Sequence, residues 1–323
     1  MIKLTAEHSA DPITMKESYA QALTRLGEVN AKVVTVEADC SNTIGTAMFA
    51  NKYPLRSINV GIAEGNAVGV AAGLAATGLI PFFHTFAAFA TRRVYDQAFI
   101  SCAYAGLNVK IIGADPGITA AHNGGTHMPF EDAGIMRNIP GAVVIEPTDA
   151  AMLRVILPQI ANHDGLVYMR FSRKNSPRIY QENQEFRIGK GALLREGTDV
   201  TLIANGIIVA EALQAADILA AEGISARVID MFTFKPIDSE LIIESAHRTG
   251  ALVTAENHSI INGLGSAVSE VLTGNCPVPL ERIGSQDEFG EVGTIDALLE
   301  RFGLRAGNIA AAARRALERK QQN

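Results

Sequence analysis

The sequence predicts an α/β protein made of two doubly wound domains. Three observations carry this: a length of 323 residues, short apolar strand-like runs that alternate with helical ones, and one polar stretch that interrupts the alternation. At roughly 150 residues per domain the chain can build about two hydrophobic cores. Alternation of short strands with helices is the pattern of a parallel sheet covered on both faces.

In the first half, 32–39 (KVVTVEAD) is a β-branched run that ends in acids, and 56–60 reads as a second strand. A helix of small residues follows at 63–76, then a strand at 80–85 and a helix at 87–104. Strands at 109–114, 142–147 and 166–171 complete the set, and Thr148-Asp149 has the N-cap chemistry of a helix start. The polar stretch 177–198, with Pro177, Gly189 and Gly191, reads as a linker carrying an edge hairpin. It divides the chain into 1–176 and 199–323. The second part repeats the rhythm: strands at 200–204, 226–230 and 252–255, with helices at 207–222, 264–272, 308–320 and from Pro236-Ile237-Asp238 to His247.

Composition narrows the function classes. Hydrophobic residues make up 48% and charged residues only 19%, with 29 Gly, so wholesale disorder and collagen-like structure are excluded. Such a chain buries much of its surface, in its own core or against other subunits. Cys40, Cys102 and Cys276 lie far apart without a C-x-x-C, which fits a reducing compartment and a cytoplasmic protein. The net charge is −6, and the one basic run, Arg314-Arg315 to Arg319-Lys320, reads as the solvated end of a helix, so no nucleic-acid partner is expected. Residues 65–91 carry no formal charge, but Gly78 and Pro81 split the run. The reading is a helix buried on all sides rather than a membrane span.

In open α/β sheets ligands bind beyond the carboxyl ends of strands, so the turns there hold the candidates. Glu64 is the one ionisable side chain in 58–76 (INVGIAEGNAVGVAAGLAA). Among Ile, Val, Ala and Gly its carboxyl group should lose solvation, rise in pKa and become able to donate a hydrogen bond. The alternative is a solvated helix-start acid favoured by the helix dipole. Gly65, Gly69 and Gly73, four apart, would let another helix approach closely. Phe86, Phe89 and Arg92 are spaced to share a helix face and could clamp a flat heteroaromatic ring, the alternative being core packing. In the Gly-rich loop 121–127, Asn123 and His127 could bind a polar substrate, and no metal-ligand spacing involves these histidines. Arg173, directly after a strand, suits an anion or a linker salt bridge. Glu256-Asn257-His258 with Gly263 and Gly265 lacks the third glycine of a dinucleotide site, and there is neither a P-loop nor a Gly-x-Ser-x-Gly.

Taken in order, Ala-Asp39, Gly-Ile-Ala-Glu64, Thr-Phe86-x-x-Phe89, Gly-Thr-His127-x-Pro, Glu-Pro-Thr-Asp149 and Phe-Ser-Arg173 resemble the C-terminal half of transketolase, from about residue 14 to about 310. The chain is also similar to deoxyxylulose-phosphate synthase and, more distantly, to the β chain of 2-oxo-acid dehydrogenases. The resemblance implies a thiamine-diphosphate pyrimidine-binding fold followed by a smaller transketolase C-terminal domain. It implies that Glu64 hydrogen-bonds the aminopyrimidine of thiamine diphosphate and promotes its imino form. Phe86, Phe89 and Arg92 would line the ring pocket, and Asp39 would stand near the cofactor. His127, Asn123, Arg173, Asp115 and Thr43 match positions that touch the sugar substrate.

The departures are as informative. Family members hold the diphosphate through a metal on Gly-Asp-Gly and Asn-Asn, and neither motif occurs here. The chain therefore looks like one subunit of a split transketolase, with no metal ligands of its own. A separate diphosphate-binding subunit would supply magnesium or calcium, in an α2β2 assembly that transfers a two-carbon ketol unit between sugars. Met15 and Asp115 stand where phosphate-gripping residues are expected, and an Asp would repel a phosphate. The competing readings are the β subunit of another thiamine-diphosphate enzyme and a non-catalytic subunit that kept the fold.

Overall fold

A computed structural model describes residues 2–6 and 9–322. Among the described residues twelve strands form two sheets: β1 (Val33–Glu37), β2 (Ser57–Asn59), β3 (Ile80–Phe86), β4 (Lys110–Ala114), β5 (Val143–Ile145), β6 (Val167–Phe171), β7 (Ala192–Arg195), β8 (Val200–Ala204), β9 (Ala226–Asp230), β10 (Thr233–Lys235), β11 (Leu252–Ser259) and β12 (Leu280–Ser285). The first sheet has the order β10-β5-β6-β4-β3-β1-β2 and the second β12-β11-β8-β9-β7. The sheets are parallel except at one edge each, where β10 runs antiparallel to β5 and β7 antiparallel to β9. The central strands β1, β4, β6, β8 and β9 are buried along their whole length, as expected of strands covered on both faces.

The two halves interlock more than the alternation suggests. Strand β10 belongs to the second half of the chain but completes the first sheet, and Lys235 donates to the carbonyls of Arg137 and Ile139. The linker contains no hairpin. It contributes the single edge strand β7, and its earlier part bridges the N-terminal stretch at Leu4–Tyr180 and Ala10–Pro177. Asp149 caps the helix Ala150–Asn162 through the Met152 amide at 2.9 Å, as its position predicts. Its second oxygen accepts the amides of Ile179 and Tyr180 and so ties the linker down.

Two helices depart from expectation. Glu64–Ala76 is not buried on all sides: Ala67, Val68, Ala71, Ala72 and Ala75 face the core, whereas Asn66, Gly69, Gly73 and Ala76 are exposed. A helix made of small residues gives no hydropathy contrast between its faces, so periodicity could not separate them. The span 87–104 is broken into a short helix Ala87–Thr91, a turn at 92–94 and a π-helix Gln97–Tyr104. No helix among the described residues is long and apolar enough to cross a membrane.

Polar groups are buried where the halves meet. Asp230 accepts hydrogen bonds from Thr148 and Tyr180 at 2.5 Å each, and burial pushes its carboxyl up to about 7 against the pull of those donors. An acid whose folded pKa is raised contributes stability that is complete below its unfolded pKa and is lost as pH rises through the folded one. Urea denaturation at stepped pH should therefore show stability declining between about pH 4 and 7, with a shallower decline in Asp230→Asn. An identical slope in both proteins would contradict the assignment.

Candidate active site

The carboxyl ends of β1, β2, β3, β4 and β6 converge on one edge of the first sheet. Strand β2 ends before a turn from which Glu64 opens the exposed-glycine helix, and Glu64 is 4% exposed. Phe86 is the last residue of β3, and Phe89 lies in the helix that follows. They therefore do not share a helix face, yet their rings meet edge to face with centroids 6.3 Å apart. The His127 ring closes the triangle, 5.6 Å from Phe86 and 5.0 Å from Phe89. His127 Nδ1 lies 2.9 Å from the Thr126 hydroxyl, which leaves Nε2 as the nitrogen for a ligand.

The shell around Glu64 is not wholly apolar. Arg93 Nη1 donates to both carboxylate oxygens at 3.0 Å, and the same guanidinium lies 4.4 Å from the centre of the Phe89 ring. The sequence reading assigned the cationic role to Arg92. Arg92 instead pairs with Glu131 at 3.0 Å and donates to the Thr126 carbonyl, which holds the loop carrying His127. The turn at 92–94 is the reason: a continuous helix would have kept Arg92 on the Phe86–Phe89 face, whereas the break brings Arg93 onto Phe89. A cavity of about 420 Å³ is lined by Ala88, Phe89, Arg92, Arg93 and Thr126. Another cavity, of about 630 Å³, lies against the linker and is lined by none of these groups.

Asp115 needs a larger correction. It is completely buried and holds Arg173 rather than facing a ligand: Oδ1 accepts the Arg173 amide at 2.8 Å, and Oδ2 accepts Nε at 2.8 Å and Nη2 at 2.5 Å. Arg173 Nη1 donates to the Thr43 carbonyl at 3.2 Å, and its guanidinium stands 5.0 Å from the Phe86 ring. Thr43 and Arg173 are therefore joined, while Asp115 acts through Arg173. The loop after Asp115 is fixed from the second half of the chain: Asn257 accepts from Ile118 N and donates to Pro116 O, both at 2.9 Å. Gly117 has φ +51°, and a Cβ there would lie 2.1 Å from Asn257 Oδ1. Asp39 is exposed with φ 60° and exchanges hydrogen bonds with Asn59, and Asn123 is exposed at the loop tip.

Sequence reasoning missed a buried row beneath the site. Tyr19 OH lies 2.7 Å from His84 Nε2, and His84 Nδ1 is 2.9 Å from Glu37 Oε1, though off the line of a hydrogen bond. Burial, then the Glu37 charge, raises the Tyr19 hydroxyl well above its ordinary value. Its one visible signal was a histidine inside an apolar strand, IPFFHTF. Glu256 accepts the amides of Leu264 and Gly265 and so caps the helix Leu264–Asn275, a structural task that needs no nucleotide.

The transketolase pyrimidine-binding domain matches residues 11–178, and the transketolase C-terminal domain matches 189–309. The chain belongs to the transketolase family. Among its relatives, the 6-deoxy-6-sulfo-D-fructose transketolase subunit SqwH of Clostridium sp. (strain MSTE9) is 55% identical over 306 residues, 95% of each chain. The putative transketolase C-terminal section of Methanocaldococcus jannaschii is 43% identical over 96% of this chain and 97% of its own. A solved structure described as a split gene transketolase, inactive beta4 tetramer, superposes with a TM-score of 0.88 at 46% identity and covers 96% of this chain and all of its own.

Transketolases use thiamine diphosphate. This transketolase-family chain offers what the ring half of that cofactor needs: a buried carboxylate, two crossed aromatic rings, and a cavity beside them. Among the described residues no group of three His, Cys, Asp or Glu side chains is placed to hold a metal ion.

Proposed function

We propose that this chain is the pyrimidine-binding subunit of a split, thiamine-diphosphate-dependent transketolase, active only with a separate diphosphate-binding subunit that holds magnesium or calcium. The observation that carries it is Glu64, buried at the start of its helix and joined through Arg93 to the Phe89 ring of the Phe86–Phe89–His127 triangle. Bound there, the cofactor would supply the carbanion chemistry of ketol transfer, and the protein would orient it and manage protons. Glu64 would hold the aminopyrimidine through its carboxylate, with Phe86 and Phe89 as the walls and Asp39 at the rim. His127 Nε2 would meet the donor's first hydroxyl groups, Asn123 would reach the sugar from the loop tip, and Arg173, set by Asp115 and Thr43, would complete the cleft. Relatives matched along nearly their whole length are named as transketolase subunits or sections, whereas the deoxyxylulose-phosphate synthases are matched over less than half of theirs, which favours a transketolase subunit over a synthase or a 2-oxo-acid dehydrogenase.

The open stripe of Asn66, Gly69, Gly73 and Ala76 and the exposed Leu55 and Ile62 suit contacts with other subunits in an α2β2 assembly. A relative solved as an inactive tetramer of β chains supports self-association and dependence on a partner. Low charge content and free cysteines are compatible with the cytoplasm. The test is reconstitution: the chain alone should show no ketol transfer, and mixing with the diphosphate-binding subunit, thiamine diphosphate and magnesium should create it. Activity that does not change on mixing would reject the reading.

Arg93 adds a sharper expectation. Its guanidinium covers the Phe89 face and satisfies Glu64, so it must move for a ring to stack there. Arg93→Met should tighten thiamine-diphosphate binding to the complex by about two- to five-fold, the value of one exposed cation–π contact. Titration calorimetry reads this directly, and weaker binding would make Arg93 a cofactor ligand instead.

A further inference from the structure

The Asp115–Arg173 pair bears on which sugars the cleft takes, and the inference rests on the transketolase reading above. Arg173, directly after β6, packs 5.0 Å from Phe86, whose ring also touches His127, and its side chain is 21% exposed. A donor that meets His127 at one end can therefore meet Arg173 further along. A free guanidinium here would favour a dianion, because it binds phosphate oxygens two at a time through its planar fork.

This guanidinium is not free. Asp115, fully buried and with φ 55°, takes both Nε and Nη2, and Thr43 O takes an Nη1 proton. An arginine has five N–H groups, so two lie outside these bonds, and its charge is cancelled by a carboxylate that no solvent screens. The neighbouring helix start gives no compensation. The amides of Met15 and Lys16 donate to the carbonyls of Lys174 and Arg173, that of Glu17 to the Thr14 hydroxyl, and that of Ser18 to the Thr14 carbonyl. The first turn also carries the Glu17 carboxylate. The side-chain cations left at this corner are Lys16, whose Nζ donates to Asn42 O next to Thr43, and Lys174, the residue after Arg173.

We propose that Asp115 is a specificity-determining residue that sets the cleft for a ketose donor whose far end carries at most one negative charge, a hydroxyl or a singly charged oxyanion group, and not a phosphate dianion. Asp115 touches no substrate. It works by neutralising and aiming Arg173, so it is a positioning residue. The same pairing also explains why a buried acid is tolerated beside a binding cleft.

The experiment compares the reconstituted complex with its Asp115→Asn variant on two donors of equal length, one ending in phosphate and one in a hydroxyl or sulfonate. Asparagine keeps an oxygen for the Arg173 amide but removes the charge, and Asp115→Ser serves as a second variant should the first fold poorly. The native complex should have the lower KM for the uncharged or singly charged donor. The variants should raise the phosphorylated-to-uncharged ratio of kcat/KM by roughly ten-fold, the worth of one freed charge-assisted contact. A native preference for the phosphorylated donor, or an unmoved ratio, would overturn the proposal. A readout without turnover separates it from the reading it rests on. Inorganic phosphate should raise the melting temperature of Asp115→Asn and leave that of the native chain unmoved, and equal shifts in both would count against it. A complex that transfers no ketol unit from any donor would strike the enzymatic reading, while the phosphate comparison would still decide the role of Asp115.

Discussion

Glutamine at position 64 is expected to lower ketol transfer by the reconstituted complex by about 10²–10⁴-fold, the usual range for loss of one positioned acid–base group. The substitution is nearly isosteric. The amide oxygen can still accept from Arg93, so the local fold should survive and the subunits should still assemble, which size-exclusion chromatography checks. What glutamine cannot do is take and return a proton. The burden falls on this residue because 65–91 contains no other acid and Asp39 is exposed. The loss should appear in kcat more than in cofactor affinity, since one hydrogen bond is retained. Glu64→Ala should lose both. Unchanged turnover in a properly assembled Glu64→Gln complex would remove the catalytic reading and leave a subunit that only completes the fold. The Arg93 contact adds little to this comparison, because the glutamine amide oxygen can still accept from the half-exposed guanidinium.

Strand and helix alternation was legible because the central strands are short, apolar and buried on both sides. Edges were harder. Strand β12 reads LERIGS and is half exposed, so it carries neither an apolar run nor a clean alternation. Strand β10 has three residues, TFK, and its place in the other half's sheet is a long-range fact that no local pattern holds. In the site, Glu64, Phe86, Phe89 and His127 stood out because each is an unlike residue in a uniform setting. Arg93 did not stand out, because its role depends on a helix break of three residues inside an otherwise helical run. Asp115 was noticed for its charge, but its direction could not be read. That depends on a positive φ and on the Arg173 side chain 58 residues away.

Removing the Asp132 carboxylate should cost about 3–5 kcal/mol of stability, because it strands a buried charge. Arg170, on β6, is fully buried and donates to Asp132 at 2.5 Å, to Glu146 at 3.0 Å and to the Asn257 carbonyl at 2.7 Å. Burial alone would pull the guanidinium down, but Asp132 and Glu146 together outweigh it and hold Arg170 above its ordinary value. Tyr168 donates its hydroxyl to the other Asp132 oxygen at 2.7 Å, an approach that needs Gly113, where a Cβ would lie 2.5 Å from that hydroxyl. His258, pushed down to about 4 chiefly by burial, is neutral at pH 7 and accepts the Gly134 amide, so it adds no second positive charge to the cluster. Asp132→Ala leaves Arg170 with one carboxylate and Tyr168 with no acceptor, whereas Asp132→Asn keeps an acceptor and should cost less. Urea denaturation of both variants measures the difference, and a loss below about 1 kcal/mol in Asp132→Ala would show that the cluster is not coupled. The effect should also reach the site. Asp132 opens the helix directly after the His127 loop, and Asn257, which accepts from Arg170, also fixes Pro116 and Ile118 at the other end of that loop. An Asp132→Ala complex that still folds should therefore show a raised KM for the sugar donor, because the loop carrying His127 has lost its anchor at one end while Glu64 is untouched.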